Sequence, residues 1–474
     1  MSVSAARKFE NFSEWFDGLL LKARIVDNRF PVKGFSVYMD NGAFMLDKLK
    51  ELLEAELEKT GHKKMYFPLV TSEELFGKEA EHIKGFSKEV FVIDQGPGEQ
   101  KLIIRPTSET IMYPMFRLWI RSHADLPLKV YQSVNVYRRE TKATRALYRV
   151  REIPWNEAHT VHEAPSEAEK QIREALEIYQ KVLKRLGIGY MTLKRPDFDK
   201  FAGAVYSIAF DAWNPDGKVN QVATIHNLGR NFAKAYEIEF EKKDGSRGIA
   251  YQTCYGFGFS RALAAVIAQH GDDRGLVLPP VIAPAQVVII PIPFKGQEKQ
   301  IQEYASKIKD MLSKRWRTVL DDRKDVTPGE KFYHWELMGA PIRIEVGPRE
   351  VAEASATVAR RDTLERIKVS LDELVEKVEE LMKSIETSLL EKSQRMMLSL
   401  ISDARSVEEV KKILRDRRIA RIEWCGRVEC AERLKEEAGG EIRGERYDVA
   451  ETPTGKCIAC ENDARFVVYV ARAY

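Results

Sequence analysis

The feature that most constrains the fold is a change in the order of predicted elements near Pro279 and Pro280. Before this point, half-polar strand patterns follow one another with short turns, which is typical of an antiparallel sheet flanked by helices. After it, a fully apolar strand at 286–291 is followed by alternating helices and strands. That alternation favours a small α/β domain with a largely parallel sheet. The chain is therefore predicted to be α+β overall.

Local patterns predict individual elements on both sides of this change. Helices are predicted over 43–59, 166–187, 297–314, 330–338 and 371–392, where apolar residues recur at helical spacing. Strands are predicted over 65–70, 130–139, 146–153, 204–211, 219–226, 236–240, 317–320 and 341–346. The helix over 371–392 is long enough to link the α/β unit to a third domain.

Length and composition limit the possible classes of protein. A chain of 474 residues exceeds what one hydrophobic core usually supports, so several domains are expected. With 44% hydrophobic and 31% charged residues the chain is globular, and its net charge of +4 does not by itself indicate nucleic acid. No stretch reaches the ~20 apolar residues of a membrane-spanning helix, and no signal peptide is visible. We expect a cytoplasmic protein without a membrane partner.

Arginines and a glutamate surround the turn between two predicted strands. Arg138 and Glu140 end the first strand, and Arg149 lies on the strand that returns. Surface ion pairing across a hairpin would explain such charges without any ligand. The alternative is an anion-binding site, because guanidinium groups suit phosphate and carboxylate groups.

Three unusual side chains then alternate along the second of these strands. Trp155, Glu157 and His159 are each two residues apart, which places them on one face of the strand. Each of them could be an ordinary core residue or a satisfied buried polar group. Together, an aromatic ring, a carboxylate and a histidine predict the lining of a pocket for a small, partly apolar ligand.

A glycine-rich turn precedes a later helix. Gly256 and Gly258 come just before the helix, and Arg261 lies on its first turn. Glycine turns often precede helices without binding anything. However, glycine allows a ligand close to the backbone, and the start of a helix favours anionic groups. Arg261 adds a fixed cation suited to phosphate.

Four of the five cysteines lie in the last 50 residues. Cys425 and Cys430 are separated by four residues, and Cys457 and Cys460 by two. Two close cysteine pairs in a reducing compartment predict a four-thiolate zinc site. The alternatives are redox-active or merely buried cysteines.

These motifs resemble those of class II aminoacyl-tRNA synthetases. The strand ending in Arg-x-Glu resembles motif 2, the glycine turn with Arg261 resembles motif 3, and Pro68 resembles the motif 1 proline near the dimer interface. Longer strings resemble prolyl-tRNA synthetases of the archaeal and eukaryotic type. They are RPTSE at 105–109, WNEAHTVH at 155–162, KFAGAVY at 200–206, TIHNLG at 224–229, HGDDRGLVLPP at 270–280 and KFYHWELMGAPIRIEVGPR at 331–349.

The resemblance implies three domains and a set of partners. It implies a class II catalytic domain over 1–283, an α/β anticodon-binding domain over 284–385 and a small α+β zinc-binding domain over 386–474. The expected partners are L-proline, ATP with Mg²⁺, tRNA(Pro) and a second copy of the chain in a homodimer. The zinc would be structural, because four thiolates leave no open ligand position. The terminal Tyr474 would approach the active site.

The resemblance also implies roles for individual residues. Arg138 would hold the α-phosphate and the substrate carboxylate, Glu140 and Arg149 would contact ATP, and Arg261 would pair with the γ-phosphate; Arg138, Glu140 and Arg261 would be the catalytic residues. The residues expected to bind proline are Thr107, Glu109, Arg138, Trp155, Glu157, His159, Phe201 and His226. The residues expected to contact the anticodon are Glu336, Arg343 and Glu350.

The sequence departs from the family pattern at several positions. Ile153 stands where many relatives carry a Phe that stacks on adenine, and Cys254 stands where Ser is common. Phe257 and Phe259 alter the usual motif 3. The large editing domain of bacterial-type enzymes has no room between motifs 2 and 3. We therefore expect misactivation of alanine and cysteine without hydrolysis of the mischarged tRNA, since a methylene contributes only ~1–3 kcal/mol of discrimination.

Two alternatives compete with this interpretation. A class II enzyme for threonine would use zinc inside the catalytic domain, whereas the clustered cysteines here lie far downstream. An inactive paralogue that binds tRNA or regulates a partner would be expected to lack Arg138, Glu140 or Arg261, and all three are present.

Overall fold

A central sheet joins the two ends of the chain in the computed structural model, which describes residues 6–78 and 89–474. In this part of the chain, the strands of the first region are β1 Val26–Asp27, β2 Val37–Tyr38, β3 Lys63–Lys64, β4 Val70–Ser72, β5 Phe91–Ile93, β6 Leu102–Ile104, β7 Leu128–Tyr137, β8 Glu152–His162, β9 Tyr190–Lys194, β10 Tyr206–Trp213, β11 Lys218–Gly229, β12 Glu239–Glu241, β13 Arg247–Ile249 and β14 Tyr251–Gly258. Its helices are α1 Phe12–Lys22, α2 Asp40–Lys59, α3 Glu73–Phe76, α4 Glu109–Trp119, α5 Pro165–Arg185, α6 Asn231–Ala235 and α7 Phe259–His270.

The second region is an α/β unit with its own five-stranded sheet. Its strands are β15 Val287–Pro291, β16 Thr318–Leu320, β17 Ile342–Val346, β18 Ser355–Arg360 and β19 Arg366–Ser370. Its helices are α8 Glu298–Leu312, α9 Pro328–Met338 and α10 Pro348–Ala352. The sheet order is β16-β15-β17-β18-β19, and β15 is parallel to both of its neighbours, β16 and β17. The prediction of a largely parallel sheet was wrong for β18 and β19, because short connections join β17, β18 and β19 and bring them together antiparallel.

The third region begins with a long helix and ends at the C-terminus. Its elements are α11 Leu374–Ser399, β20 Ile401–Asp403, α12 Val407–Arg415, β21 Ile419–Trp424, α13 Val428–Ala438, β22 Glu441–Arg446 and β23 Phe466–Ala473. These strands continue the central sheet, whose order is β20-β21-β23-β22-β9-β10-β11-β14-β8-β7-β3. The joint is the antiparallel pair β22 and β9, and the end of β23 also pairs with β11. Within the described residues, no helix is long and apolar enough to cross a membrane.

The core of the first region lies between the sheet and the helices on one of its faces. α2, α5 and α7 pack there, and every residue of α7 except Arg261 is buried. Such a helix is largely apolar because neighbouring elements cover most of its surface. α7 follows directly after the glycine turn at the end of β14, so the sheet and the buried helix together fix the position of Arg261.

Two of the predicted strands differ from the structure. The strand predicted over 146–153 begins only at Glu152, because Leu147 adopts a positive φ of 63° and the preceding residues form a tight turn. The strand predicted over 65–70 is absent, and β4 begins at Val70. There the carbonyl groups of Phe67 and Pro68 accept hydrogen bonds from the Arg105 guanidinium instead of from a neighbouring strand.

A buried ion cluster secures the joint between the third region and the central sheet. Asp211 on β10 is fully buried and accepts hydrogen bonds from Arg195 Nη2 and from Arg443 Nε on β22, both at 2.8 Å. Burial alone would raise the pKa of this carboxyl, but the two guanidinium groups outweigh it and lower the pKa. Arg195 also donates to the carbonyl oxygen of Arg443 at 2.8 Å.

We expect Asp211→Asn to lower the free energy of unfolding by about 3–5 kcal/mol, because it leaves two buried guanidinium groups without their counter-charge. Denaturant unfolding followed by tryptophan fluorescence measures the change. Glu303→Gln is the matched control, since its pair with Lys299 is exposed and should contribute less than about 1 kcal/mol. Equal effects of the two substitutions would contradict the assigned role of the cluster.

Candidate active site

A cavity of about 370 Å³ lies on the face of the central sheet where β8, β14 and β11 are adjacent. The structure brings nearly all predicted catalytic and substrate-binding residues to its wall. They are Thr107, Glu109, Arg138, Arg149, Trp155, Glu157, His159, Phe201, His226 and Arg261. Glu140 is not part of the wall, but its Oε1 lies 3.2 Å from Arg149 Nη1.

The key arginines are oriented by backbone carbonyl groups. Arg261 donates from Nε to the carbonyl oxygen of Tyr148 at 3.0 Å and from Nη1 to that of Gln221 at 3.1 Å. Arg138 donates from Nε to the carbonyl oxygen of Pro106 at 3.2 Å, and its guanidinium lies 5.6 Å from the centre of the Trp155 ring. A carbonyl dipole fixes the direction of a guanidinium without neutralising its charge.

Positive charge dominates the cavity wall. Burial, and then the nearby cations Arg138 and Arg149, lower the pKa of Arg261 to about 10. Cations outnumber carboxylates among the lining residues, which favours a polyanionic ligand such as a triphosphate. The cations are Arg138, Lys142, Arg149, Arg195, Lys200, Arg261 and Arg443, and the carboxylates are Glu109, Glu157, Asp199 and Glu441.

Glu157 is the centre of a buried hydrogen-bond network. Its Oε1 accepts from the Ser108 hydroxyl and from Gln132 Nε2, the latter at 2.8 Å. Its Oε2 accepts from the Ser108 amide at 3.2 Å and lies 3.2 Å from His159 Nε2. Burial would raise the pKa of Glu157, but the hydrogen bonds from His159, Ser108 and Gln132 lower it overall. Glu157 therefore holds the pocket wall in shape as a carboxylate.

The remaining predicted pocket residues form an aromatic wall and a second carboxylate. The rings of Phe201 and His226 are in contact, with centres 4.6 Å apart and planes tilted by 30°. His226 is fixed by the Ser207 hydroxyl at 2.7 Å. Glu109 is the first residue of α4, and its Oε2 accepts from the Thr107 hydroxyl at 2.5 Å.

The wall also contains Tyr474, which the family resemblance implied would approach the active site, and residues that the sequence analysis missed. Arg195 and Lys200 come from the loop after β9, while Arg443 and Tyr474 come from the third region. The Tyr474 ring stacks on Tyr148 with centres 4.0 Å apart. Lys200 lies in the string at 200–206 that resembles prolyl-tRNA synthetases, so this position could have been included. Nothing in the local sequence predicts that β22 and β23 reach this cavity.

The four C-terminal cysteines come together as predicted. All four sulfur atoms lie within 4.8 Å of one another, and Cys425 Sγ is 3.6 Å from both Cys430 Sγ and Cys460 Sγ. Tetrahedral zinc with Zn–S bonds of about 2.3 Å requires sulfur atoms roughly 3.8 Å apart, so this donor set fits zinc. Gly426, at a φ of +90°, allows the tight turn between Cys425 and α13.

Two of the three predicted anticodon residues share a second cavity in the α/β unit. Glu336 and Arg343 both line it, and Glu336 Oε1 lies 3.0 Å from Arg343 Nη1. Glu350 does not line this cavity. Its carboxylate accepts from the Gly347 amide and from the Thr357 hydroxyl, both at 3.0 Å.

The catalytic region also contains a mixed group of possible metal ligands that the sequence analysis did not predict. The threonine alternative was set aside because the clustered cysteines lie far downstream. In the structure, however, the ligand atoms of Cys254, Glu109 and His159 lie within 4.8 Å of one another on the wall of the main cavity. Cys254 was noticed only as a departure from the family pattern, because its partners are distant in sequence.

Comparisons with known proteins agree with this geometry. Family models match over residues 91–270 (tRNA synthetase class II core domain, G, H, P, S and T), 286–381 (anticodon binding domain) and 407–474 (prolyl-tRNA synthetase, C-terminal). A proline–tRNA ligase of Pyrococcus abyssi is 48% identical, with 100% of both chains covered. The chain belongs to the prolyl-tRNA synthetase family. Another relative, a proline–tRNA ligase of Ignicoccus hospitalis, is 44% identical over 98% of this chain and 99% of its own.

A solved structure shows the same architecture. The Giardia lamblia prolyl-tRNA synthetase in complex with prolyl-adenylate superposes with a TM-score of 0.95 at 34% identity, over 99% of this chain and 100% of that one. The α+β fold expected of class II synthetases, with an antiparallel catalytic sheet, is confirmed. As a member of the prolyl-tRNA synthetase family, the chain is a class II proline–tRNA ligase, so the threonine alternative is excluded.

We expect His226 to make stability depend on pH. Burial, and then His159 and Arg195, lower the pKa of His226 to about 3, so the folded state holds it neutral. An unfolded histidine titrates near 6.5, so stability supplied by the neutral ring is lost as the pH falls below about 6.5. His226→Gln should be less stable than the wild type at pH 7. This difference should shrink on acidification by up to about 1.4 kcal/mol per pH unit in denaturant titrations. A difference independent of pH would contradict this assignment.

Proposed function

We propose that the chain activates L-proline with ATP to form prolyl-adenylate and then transfers the prolyl group to tRNA(Pro). The observation that carries this proposal is that cations from three separate elements meet in one cavity. Arg138 comes from the end of β7, Arg149 from the following turn and Arg261 from α7. The same cavity has an aromatic and acidic section suited to a small amino acid.

The chemistry of adenylation suits a site made of arginines. The substrate carboxylate attacks the α-phosphate in line, one O–P bond forms, and the bond to pyrophosphate breaks. The nucleophile is already an anion, so no general base is needed and catalysis depends on positioning and charge stabilisation. We assign the α-phosphate and the substrate carboxylate to Arg138, contacts with ATP to Glu140 and Arg149, and the γ-phosphate to Arg261.

Magnesium would enter with ATP. The wall near Arg149 and Arg261 offers cations rather than a dedicated group of carboxylates. Phosphate oxygens would therefore provide most of the Mg²⁺ ligands, and the ion would neutralise charge on the triphosphate.

The proline pocket follows from the remaining residues of the wall. Trp155 and the adjacent rings of Phe201 and His226 provide flat surfaces for the pyrrolidine ring. Glu109 provides a carboxylate for the secondary ammonium of proline, with Thr107 fixing one of its oxygens. A buried carboxylate that pairs with the substrate cation gives both affinity and orientation.

Amino-acid-dependent pyrophosphate exchange tests this function directly. Across the twenty amino acids, we expect proline to give the highest rate. Arg138→Ala should lower that rate at least about a hundredfold, because a charge-stabilising donor is lost. Arg349→Ala is the control, since this arginine lies far from the cavity on an exposed helix turn. Exchange that depends on another amino acid, or that survives Arg138→Ala, would refute the proposal.

We further propose that the chain misactivates alanine and cysteine and does not correct the error. The segment between β8 and β14 is occupied by α5, by β9 to β11 of the central sheet, by α6 and by the β12–β13 hairpin. These elements build the catalytic domain itself, and no separate hydrolytic unit is inserted among them in this described segment. A pocket for proline excludes smaller side chains only weakly.

Deacylation of alanyl-tRNA(Pro) tests whether the chain hydrolyses mischarged tRNA. We expect the purified protein to release alanine no faster than buffer does, because the described segment between β8 and β14 contains no inserted unit that could hydrolyse the ester. Pyrophosphate exchange with alanine and with cysteine should remain measurable at high amino-acid concentrations. Release of alanine well above the rate in buffer would contradict this proposal.

The other domains would serve tRNA binding and stability. We assign anticodon contacts to Glu336, Arg343 and Glu350, because paired donors and acceptors suit the edges of unstacked bases. We assign structural zinc to Cys425, Cys430, Cys457 and Cys460, whose sulfur spacing fits tetrahedral coordination. The proposed domain limits are 1–283, 284–385 and 386–474.

We also propose a homodimer in the cytoplasm. Pro68 lies between two exposed apolar residues, Tyr66 and Leu69, whose exposed fractions are 74% and 44%. Exposed apolar side chains beside a motif 1 proline favour an interface with a second copy. The five cysteines are thiols, which suits a reducing compartment.

A further inference from the structure

Cys254, Glu109 and His159 form a mixed set of metal-ligand atoms that the adenylation chemistry does not require. The three side chains are 4%, 2% and 1% exposed, and their ligand atoms lie within 4.8 Å of one another. All three line the main cavity. A thiol, a carboxylate and an imidazole together are donors that zinc prefers and that magnesium does not.

The backbone holds this cluster, named here the Cys254 triad, in place. Cys254 on β14 is the direct cross-strand partner of His159 on β8. Glu109 begins α4, and Thr107 donates to one of its oxygens. The ligand positions therefore come from two paired strands and a helix start, and none of them depends on a mobile loop.

The surroundings of His159 also resemble those of a metal ligand. Its Nε2 lies 3.2 Å from Glu157 Oε2, and its Nδ1 lies 3.0 Å from the Tyr113 hydroxyl. Metal-bound histidines commonly donate their second ring nitrogen to a carboxylate, which fixes the ring. Both ring nitrogens have hydrogen-bond partners in the metal-free protein, so a metal ion would take the place of one of these two contacts.

We propose that the Cys254 triad binds Zn²⁺ and that bound zinc excludes proline from the pocket. This inference rests on the proposed function, since Glu109 is the carboxylate assigned to the substrate ammonium. Zinc and that ammonium need the same negative charge, so they compete. Three protein ligands leave the fourth position of the ion open toward the cavity, as in sites that exchange their ligands.

The binding step is balanced by release of a proton. Burial raises the pKa of the Cys254 thiol, so this sulfur is protonated in the metal-free protein. Zinc binds the thiolate, and the thiol proton passes to solvent. No redox change takes place.

Pyrophosphate exchange at buffered free Zn²⁺ tests the competition, with proline varied at saturating Mg²⁺ and ATP. For the wild type we expect the apparent KM for proline to rise with zinc while kcat stays constant. In Cys254→Ser the inhibition constant should rise at least about tenfold, because the soft ligand is lost. Each protein is compared with its own zinc-free rate, so a change in basal activity does not affect the result.

Two controls separate the triad from the C-terminal cysteines. Cys460→Ser makes the same substitution in the four-cysteine cluster and should keep the competitive inhibition. In metal titrations followed by elemental analysis, the wild type should bind two zinc ions per chain, and Cys254→Ser should bind one. Saturating proline with ATP should remove the second ion from the wild type.

The outcomes distinguish this inference from the function on which it rests. Zinc inhibition that proline does not relieve, that is unchanged by Cys254→Ser, or that does not occur at all would overturn the zinc site alone. Activation of the exchange by zinc would also overturn it, because the ion would then assist substrate binding. Absence of proline-dependent exchange without zinc would instead overturn the proposed function.

Discussion

The geometry of the cavity depends on arginine side chains that are fixed without losing their charge. Arg261 reaches the cavity from a buried helix, and two backbone carbonyl groups accept its hydrogen bonds. Arg138 is oriented by the carbonyl group of Pro106 in the same way. A carboxylate partner would hold the Arg261 guanidinium more tightly but would cancel the field that a phosphate chain needs. This arrangement destabilises the charged form of Arg261, and its pKa is lowered because the side chain is buried beside other cations. A polyanionic ligand removes that repulsion, so the site is arranged to bind one.

The third region also belongs to the structure that fixes the arginines of the cavity. Its strands extend the catalytic sheet, and Arg443 from β22 lines the cavity while its Nε contacts the buried Asp211. Tyr474 lies against Tyr148, whose carbonyl oxygen orients Arg261. Through these contacts, the packing of the C-terminus bears on the arginine assigned to the γ-phosphate. Cys425 of the four-cysteine cluster directly follows β21, so the cluster is attached to the same sheet although it does not line the cavity.

The sequence predicts those parts of the fold that depend on local periodicity. Alternation along β8 correctly placed Trp155, Glu157 and His159 on one wall, because successive strand residues point to opposite faces. The start of β8 was missed, since the positive φ of Leu147 arises from packing around Tyr148 and has no glycine to mark it. The mixed direction of the second sheet and the joint between β22 and β9 depend on pairing between distant segments. The grouping of Cys254 with His159 could not be predicted from local sequence either, because it depends on the register between β14 and β8.

Glu109 and Glu157 are both buried glutamates of the pocket, but they have different hydrogen-bond partners. Their sequence contexts alone do not reveal this difference. Both Glu157 oxygens already accept two contacts each, from Ser108, Gln132 and His159, so a substrate cation would have to displace an existing donor. Glu109 has its Oε2 bonded to Thr107, and its other side faces Cys254 and the cavity. A secondary ammonium that enters the pocket could therefore pair with the Glu109 carboxylate. The oxygens of Glu157 already accept hydrogen bonds from the protein. Glu157 shapes the wall through His159 and Ser108, whereas Glu109 is the carboxylate proposed to pair with a cation.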